Sequence, residues 1–180
     1  MLKQLRTRRK RRETAYALYL AAVAEARRPV FYRDLAVQDT IDGRFDLIAL
    51  HVVLVIHRLR QIRESEPEAD ELAQALFDVM FADMDRSLRE MGVGDLSVGK
   101  RVKAMARAFF GRAEAYEMGL AAPGEALEQA LARNLYRGAE VEPATLRAMA
   151  GYIRSQVQAL EAVSGPDIMA GNVSFGELTR

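Results

Sequence analysis

The chain has 180 residues, which is enough for one domain but short for several. Its 26 lysines and arginines nearly balance its 25 aspartates and glutamates, so net charge alone does not indicate a nucleic-acid partner. The sequence contains no cysteine, which excludes a disulfide, a thiolate metal site and a cysteine nucleophile. No apolar segment follows the basic start, so we expect no secretion signal.

Cations crowd the N-terminus, where residues 3–12 include seven lysines and arginines. We predict that residues 1–12 form a basic flexible arm, disordered or only loosely helical. Because like charges repel one another unless they are screened or paired, we expect this arm to bind a partner. Apolar residues at helical spacing then predict a first helix over residues 13–28, which ends before a proline.

A connector over residues 29–43 leads from this helix to the next. It is long for a compact helical domain and carries apolar side chains, so we expect it to pack on the surface of the domain. Its polar end, residues 39–43, predicts a turn and the entry to a helix.

An apolar run from Leu47 to Ile56, interrupted only by His51, follows the connector. A segment that is apolar around its whole circumference must be buried on all sides. Residues 45–65 contain no proline or glycine, and this length is typical of a helix rather than a strand. Flanking charges leave the run too short for a membrane span. We therefore predict a central, buried helix.

The next two predicted helices are long and amphipathic. The first, over residues 69–91, carries two apolar series, so we expect it to be sandwiched between neighbours. The second begins at a predicted N-cap, Ser97, and reaches about residue 120 with one apolar stripe. Its outer side carries Lys100, Arg101, Lys103 and Arg107.

The C-terminal part predicts two more helices and a tail. Pro123 and Pro143 stand where helices commonly start, and Gly138 closes the first of the two. Glycines and a proline predict an irregular tail over residues 164–180. The predicted fold class is therefore all-α: a single compact bundle of about six helices over residues 13–163, around a central apolar helix.

Three patterns could carry chemistry, and each has a simpler structural interpretation. Residues 94–101 match part of a phosphate-binding loop, but no buried strand precedes them and Arg101 replaces the magnesium-binding hydroxyl. His51 and His57 lie roughly 240° apart around a helix, so they cannot share a metal, and we interpret His51 as a hydrogen-bonded core histidine. No spacing of aspartates selects an acid–base pair, and helix capping accounts for Asp46. We predict no catalytic residue, metal or cofactor.

Clustered cations are the stronger candidates for function. Lysine and arginine bind phosphate-rich surfaces through charge and counterion release, without reading sequence. An anionic membrane attracts them for the same reason. An ordinary solvated face is the alternative for the outer side of the helix that begins at Ser97. The candidate cations are Arg8, Arg9, Lys10, Arg11, Arg12, Lys100, Arg101, Lys103 and Arg107.

Several blocks of the sequence resemble the ubiquinol–cytochrome c chaperone family. They are RRPVFY (27–32), DTIDGRFDLIALH (39–51), MFADMDRSLREMGVGDLSVGKRVKAM (80–105), AFFGR (108–112) and ALARNLY (130–136). The resemblance covers about residues 14–160. Mitochondrial members of the family carry a long N-terminal extension that this chain lacks, so we expect a bacterial member.

The resemblance implies a non-enzymatic assembly chaperone that binds newly made cytochrome b during biogenesis of the ubiquinol–cytochrome c reductase complex. It also implies a ribosome and a second assembly factor as partners. From the clustered cations we expect peripheral contact with an anionic membrane, and we expect no DNA partner. We expect the protein in the cytoplasm or at the inner membrane, on the matrix side in a eukaryote. The alternatives are a ribosome- or RNA-associated helical module without a specific client, and an enzyme or cofactor protein that shares the bundle.

The resemblance also suggests roles for particular residues. Lys100, Arg101, Lys103 and the basic arm are candidates for contact with ribosomal RNA, acidic partner surfaces or lipid headgroups. On physical grounds rather than from the resemblance, Phe31 and Tyr32 are candidates for contact with an apolar client, because aromatic side chains in semi-ordered loops suit interface anchors.

Overall fold

The structure, a computed structural model, describes residues 2–177, with side chains from residue 4 onward. This range contains eight helical segments and no strand: α1 (Leu2–Ala26), α2 (Val30–Arg33), α3 (Ile41–Gln61), α4 (Ala69–Glu90), α5 (Asp95–Ala121), α6 (Ala126–Asn134), α7 (Pro143–Glu161) and α8 (Gly165–Met169). Only α2 and α8 are shorter than nine residues. The predicted all-α bundle of about six helices is confirmed.

α3 is the central helix that the sequence predicts. Every residue from Phe45 to Ile56 is buried, because α1, α4, α5 and α7 all pack against this helix. Thr40 caps its N-terminus, and the Thr40 hydroxyl accepts a hydrogen bond from the backbone N–H of Gly43 at 3.0 Å. Neither α3 nor any other helix within residues 2–177 has the length and apolar character that crossing a bilayer requires.

The basic N-terminal residues are helical in this structure. α1 begins at Leu2 rather than near Glu13, so the segment predicted as a flexible arm forms the first turns of a 25-residue helix. Ion pairs from Arg9 to Glu13 and from Arg11 to Glu71 offset part of the charge repulsion among these cations.

Two other helix boundaries differ from the predicted ones. α5 begins at Asp95 with Gly94 as its N-cap, so the prediction of Ser97 as the cap is wrong. The backbone N–H of Ser97 already donates to the Gly94 carbonyl at 2.8 Å within the first turn. α6 begins after Pro123 and ends before Arg137, which adopts a left-handed φ of 55°. The helix therefore stops short of the glycine predicted to close it.

The C-terminal residues pack onto the bundle. α7 begins at Pro143, as predicted, and the tail that follows includes α8, whose Ile168 is fully buried. Further along, Gly176 exchanges two hydrogen bonds with the side chain of Gln156, at 2.6 Å and 3.0 Å. The tail is irregular between α8 and residue 177, but α7 holds it in place.

Candidate functional site

An open apolar groove of about 750 Å³ lies between α1, the start of α3, the end of α4 and the start of α5. Its floor is formed by buried Phe45, Ile48 and Leu88, whereas Ile41 and Met91 stand on its rim with 66% and 50% of their surface exposed. The remaining lining residues are Tyr19, Arg27, Asp42, Arg44, Asp83, Met84, Ser87, Val93, Arg101, Ala104 and Met105.

Three methionines, Met84, Met91 and Met105, contribute to the lining. Methionine is unbranched and polarisable, so it packs against partners of different shapes. Two of the three belong to the second apolar series of α4, which the sequence predicts to be sandwiched. That prediction is confirmed for Phe77 and Phe81, which pack edge-on against Phe109 of α5. At the end of this helix the cover is partial: Leu88 is buried and Met84 is half-buried, whereas Met91, just after α4, is 50% exposed at the groove.

Guanidinium groups flank this groove. Arg27 and Arg101 are exposed and form no ion pair with any side chain from residue 4 to residue 177. The two carboxylates of the lining, Asp42 and Asp83, are each paired with an arginine. The groove therefore has unpaired positive charge at its opening, beside an apolar floor. This combination suits an apolar segment that carries a carboxylate or ends in the negative pole of a helix.

The structure divides the predicted cations of α5 between two surfaces. All four are exposed, and none forms an ion pair with another described side chain. Arg101 lines the groove, whereas Lys100, Lys103 and Arg107 lie on the outer face of the helix. The prediction that all four occupy the outer side of α5 therefore holds for Lys100, Lys103 and Arg107 but not for Arg101. What they bind stays a prediction.

The cations of α1 are less uniform than the sequence suggests. Five of those whose side chains the structure describes are exposed: Arg6, Arg8, Arg9, Lys10 and Arg12. Arg11 is half-buried and paired with Glu71 of α4, and Arg9 is paired with Glu13 one turn along. Only the unpaired cations in the first turns of α1 are therefore available to a partner. That they bind one stays a prediction.

Phe31 is a core residue in this structure. It is fully buried in α2, with ring centroids 5.5 Å from His51 and 5.1 Å from Tyr152. The expectation that Phe31 contacts a client is therefore corrected, because the connector turns this ring inward. Tyr32 is half-buried and its hydroxyl donates to the Ala26 carbonyl at 3.0 Å. A client contact by Tyr32 stays a prediction.

His51 is the hydrogen-bonded core histidine that the sequence predicts. Its ring is fully buried, with Nδ1 2.7 Å from the Leu47 carbonyl and Nε2 2.7 Å from the Tyr152 hydroxyl. Burial lowers the pKa of His51 to about 4. Nowhere in the described part of the chain do three histidine, aspartate or glutamate side chains come together as a metal site.

Asp46 does not cap a helix, as the sequence suggested, but forms a buried ion pair. It is fully buried in α3, with Oδ1 3.0 Å from Nη2 of Arg112 and Oδ2 2.6 Å from Nε of Arg137. Burial raises the pKa of Asp46, and the two guanidinium groups oppose that rise. These contacts attach α5 and the segment after α6 to the central helix, which is a structural role.

The fold and the groove define a helical protein whose surface suits a partner with an apolar segment. The sequence model of the ubiquinol-cytochrome C chaperone family matches residues 33–175. The chain belongs to this family, and the resemblance seen in its sequence is confirmed.

Named relatives agree with this assignment. Ubiquinol-cytochrome-c reductase complex assembly factor 1 of Xenopus laevis is 24% identical over 156 residues, which are 86% of this chain and 76% of the relative. The human protein of that name is 25% identical over 167 residues, which are 92% of this chain but 55% of the human one. This chain therefore spans about half the length of the human relative.

A solved structure shares the whole fold. The crystal structure of the Cbp3 homolog from Brucella abortus is 36% identical in sequence and superposes with a TM-score of 0.82. The alignment covers 99% of this chain and 98% of that one. The helical architecture described above is therefore that of a known member of the same group of proteins.

Proposed function

We propose that this protein is a non-enzymatic assembly chaperone of the ubiquinol–cytochrome c reductase complex, and that it holds newly made cytochrome b. Family membership and the names of the relatives support the assembly role. The single observation that supports the location of the client site is the open groove, with its three methionines and two unpaired arginines.

The groove has the chemistry that a membrane-protein client requires. A newly made membrane protein presents apolar helices before they enter the bilayer, and an apolar helix binds in a groove by burying one face. Methionines adapt to the side chains of that face. Arg27 and Arg101 then pair with a carboxylate, or with the C-terminal carbonyls, of the bound helix. No bond is made or broken in this mechanism, because the protein acts by covering apolar surface.

Two exposed rim residues provide the test. Ile41→Glu and Met91→Glu place a carboxylate at the rim without disturbing the buried floor, so the fold is expected to remain intact. Each carboxylate must lose water when an apolar helix covers it, so we expect cytochrome b recovery to fall about tenfold or more in the double variant. The measurement is affinity purification from detergent extracts of native membranes, with mass spectrometry.

Met118→Glu is the matched control, because Met118 is equally apolar and 66% exposed but lies outside the groove. This variant should recover cytochrome b like the unmodified protein. Equal recovery by the rim variant and the control would show that the client lies elsewhere. If the unmodified protein recovers a different client and no cytochrome b, the proposal that cytochrome b is the client is wrong.

The cations of α1 and α5 favour one alternative, a ribosome-associated helical module without a specific client. Such a module would sediment with ribosomes at low salt and dissociate as salt rises, with no dependence on Ile41 or Met91. A chaperone that docks near the ribosomal exit would bind ribosomes in a salt-dependent way, and its recovery of the client would also depend on Ile41 and Met91. Ribosome binding and a second assembly factor therefore remain separate proposals from the client site.

A further inference from the structure

The outer face of α5 combines exposed apolar and positively charged side chains. At 3.6 residues per turn, Leu96, Lys100, Lys103, Arg107 and Phe110 fall within an arc of about 80° around the helix. Leu96 is 98% exposed and Phe110 is 56% exposed, while the three cations between them are also exposed. An apolar residue therefore stands at each end of a basic stripe, over about 21 Å at a rise of ~1.5 Å per residue.

The charge of this stripe is not neutralised within the protein. Residues 96–110 contain four cations and no carboxylate. Asp95, just before the stripe, is occupied by an ion pair with Arg89 of α4. Glu114 is the next residue on the same arc and bounds the stripe beyond Phe110. The cations of α1 differ, because two of them are already paired with glutamates.

We propose that this outer face of α5 docks the protein on an anionic lipid bilayer. Lysine and arginine are attracted to negatively charged headgroups, and exposed leucine and phenylalanine insert at the boundary between headgroups and acyl chains. A phosphate backbone such as that of RNA uses the cations but leaves Leu96 without a partner. The bilayer accounts for both kinds of side chain, because its surface presents anionic headgroups above apolar chains.

Docking in this way places the client groove beside the membrane. Arg101 and Ala104 line the groove, and their neighbours Lys100 and Lys103 belong to the outer face, so the groove opens along the flank of the docked helix. An apolar client segment at the bilayer surface would then reach the groove without crossing open water. This last step rests on the proposed client, whereas the docking face stands independently of it.

The first test is flotation of the intact chain with vesicles. We expect it to bind phosphatidylcholine vesicles that contain about one third phosphatidylglycerol, and not pure phosphatidylcholine. The neutralising variant Lys100→Gln/Lys103→Gln/Arg107→Gln should lower the partition coefficient about 100-fold, since each cation contributes about fivefold. Arg33→Gln/Arg63→Gln/Arg147→Gln is the matched control: it removes three exposed cations elsewhere and should change binding by less than about threefold.

The second test asks whether Leu96 inserts. Leu96→Ser should weaken vesicle binding about tenfold, because an inserted leucine loses its apolar surroundings. The chain has no tryptophan, so Leu96→Trp introduces a single fluorophore. Its emission should shift to the blue on anionic vesicles and be quenched by brominated lipid. Tyr16→Trp, on α1 and 47% exposed, is the control that should show neither change.

Several results would overturn the proposal. They are equal binding to neutral and anionic vesicles, no loss in the neutralising variant, and no effect of Leu96→Ser with no blue shift. The last pattern would indicate contact with phosphates only, as on RNA. Capture of cytochrome b in detergent should be unchanged in the neutralising variant. Failure of membrane docking is thus distinguishable from failure of the client groove.

Discussion

The Nε2 atom of His51 in α3 lies 2.7 Å from the hydroxyl of Tyr152 in α7, and both rings are buried. Nδ1 of His51 faces the Leu47 carbonyl, which can only accept, so Nδ1 carries a proton. In the neutral ring Nε2 then accepts, and Tyr152 donates to it. The Tyr152 hydroxyl also lies 2.9 Å from Oε1 of Glu25, but its one proton cannot serve both acceptors.

This arrangement predicts that stability depends on pH through His51. Burial lowers the folded-state pKa of His51 from 6.5 to about 4. Between these two values the unfolded chain binds a proton that the folded protein excludes, so the free energy of unfolding should fall as pH falls. The loss should approach roughly 3 kcal/mol near pH 4 and be absent above pH 7.

Urea denaturation at several pH values, on the unmodified protein and on His51→Gln, checks this prediction. The variant has no titrating group at this position, so its stability should depend less on pH over the same range. Carboxylates that titrate in both proteins cancel in the comparison. Parallel pH profiles for the two proteins would show that His51 does not titrate as its burial requires.

The ion pair of Asp46 with Arg112 and Arg137 predicts a large effect of a single substitution. Asp46→Ala removes the carboxylate that both guanidinium groups contact, and it leaves Arg112, which is mostly buried, without its partner. We expect a loss of about 3–5 kcal/mol in the free energy of unfolding. Asp85→Ala, which breaks an exposed pair with Arg89, should cost less than about 1 kcal/mol. Similar losses in the two variants would contradict a structural role for the buried pair.

Gly43 predicts a close backbone contact at the entry to α3. A Cβ atom at this residue would collide with the carbonyl oxygen of Gln38, which is backbone and cannot swing away. Gly43→Ala should therefore destabilise the protein by about 2 kcal/mol or more. Gly151→Ala in α7 is the control, since a Cβ atom there would meet nothing within 4 Å beyond its chain neighbours and the adjacent backbone of its own helix, and alanine favours helix by about 0.5–1 kcal/mol. Thermal unfolding of the two variants should shift in opposite directions.

The sequence was sufficient to predict the central helix, because a helix that is buried on all sides is apolar around its whole circumference. The run from Leu47 to Ile56 has no polar face except His51, and the structure surrounds it with four helices. The same kind of pattern located α4, α5 and α7. Helix ends were harder to predict, since the N-cap at Gly94 depends on backbone geometry that a serine three residues later does not reveal.

The groove could not be predicted because it depends on which faces remain uncovered. Met84 and Met91 have the spacing of core residues, and only the positions of α3 and α5 show that Met84 is half-buried and Met91 is half exposed at the groove. Phe31 was expected to lie at the surface, but an aromatic residue in a connector can turn toward the core, and Phe31 is fully buried. One available signal was the presence of two methionines at the end of α4, because methionine is common on adaptable binding surfaces.

The basic turns of α1 yield the last prediction, which concerns partners rather than stability. Arg8, Lys10 and Arg12 are exposed and form no ion pair with any side chain from residue 4 to residue 177. If these three cations bind ribosomal RNA, Arg8→Gln/Lys10→Gln/Arg12→Gln should weaken ribosome association at low salt by at least about tenfold. The slope of log affinity against log salt should also fall, by about 0.7–0.9 for each phosphate that the variant no longer neutralises.

Co-sedimentation with ribosomes over a range of salt concentrations measures both quantities. Arg9→Gln is the control, because Arg9 already pairs with Glu13 at 2.8 Å and has less charge to offer a phosphate. The triple variant should keep the unfolding temperature of the unmodified protein, since its three side chains are exposed. A lower affinity with an unchanged salt slope would mean that α1 acts through shape rather than by neutralising phosphates. An unchanged affinity for ribosomes would contradict a role of these three cations and leave the cations of α5 as the remaining candidates for ribosome binding.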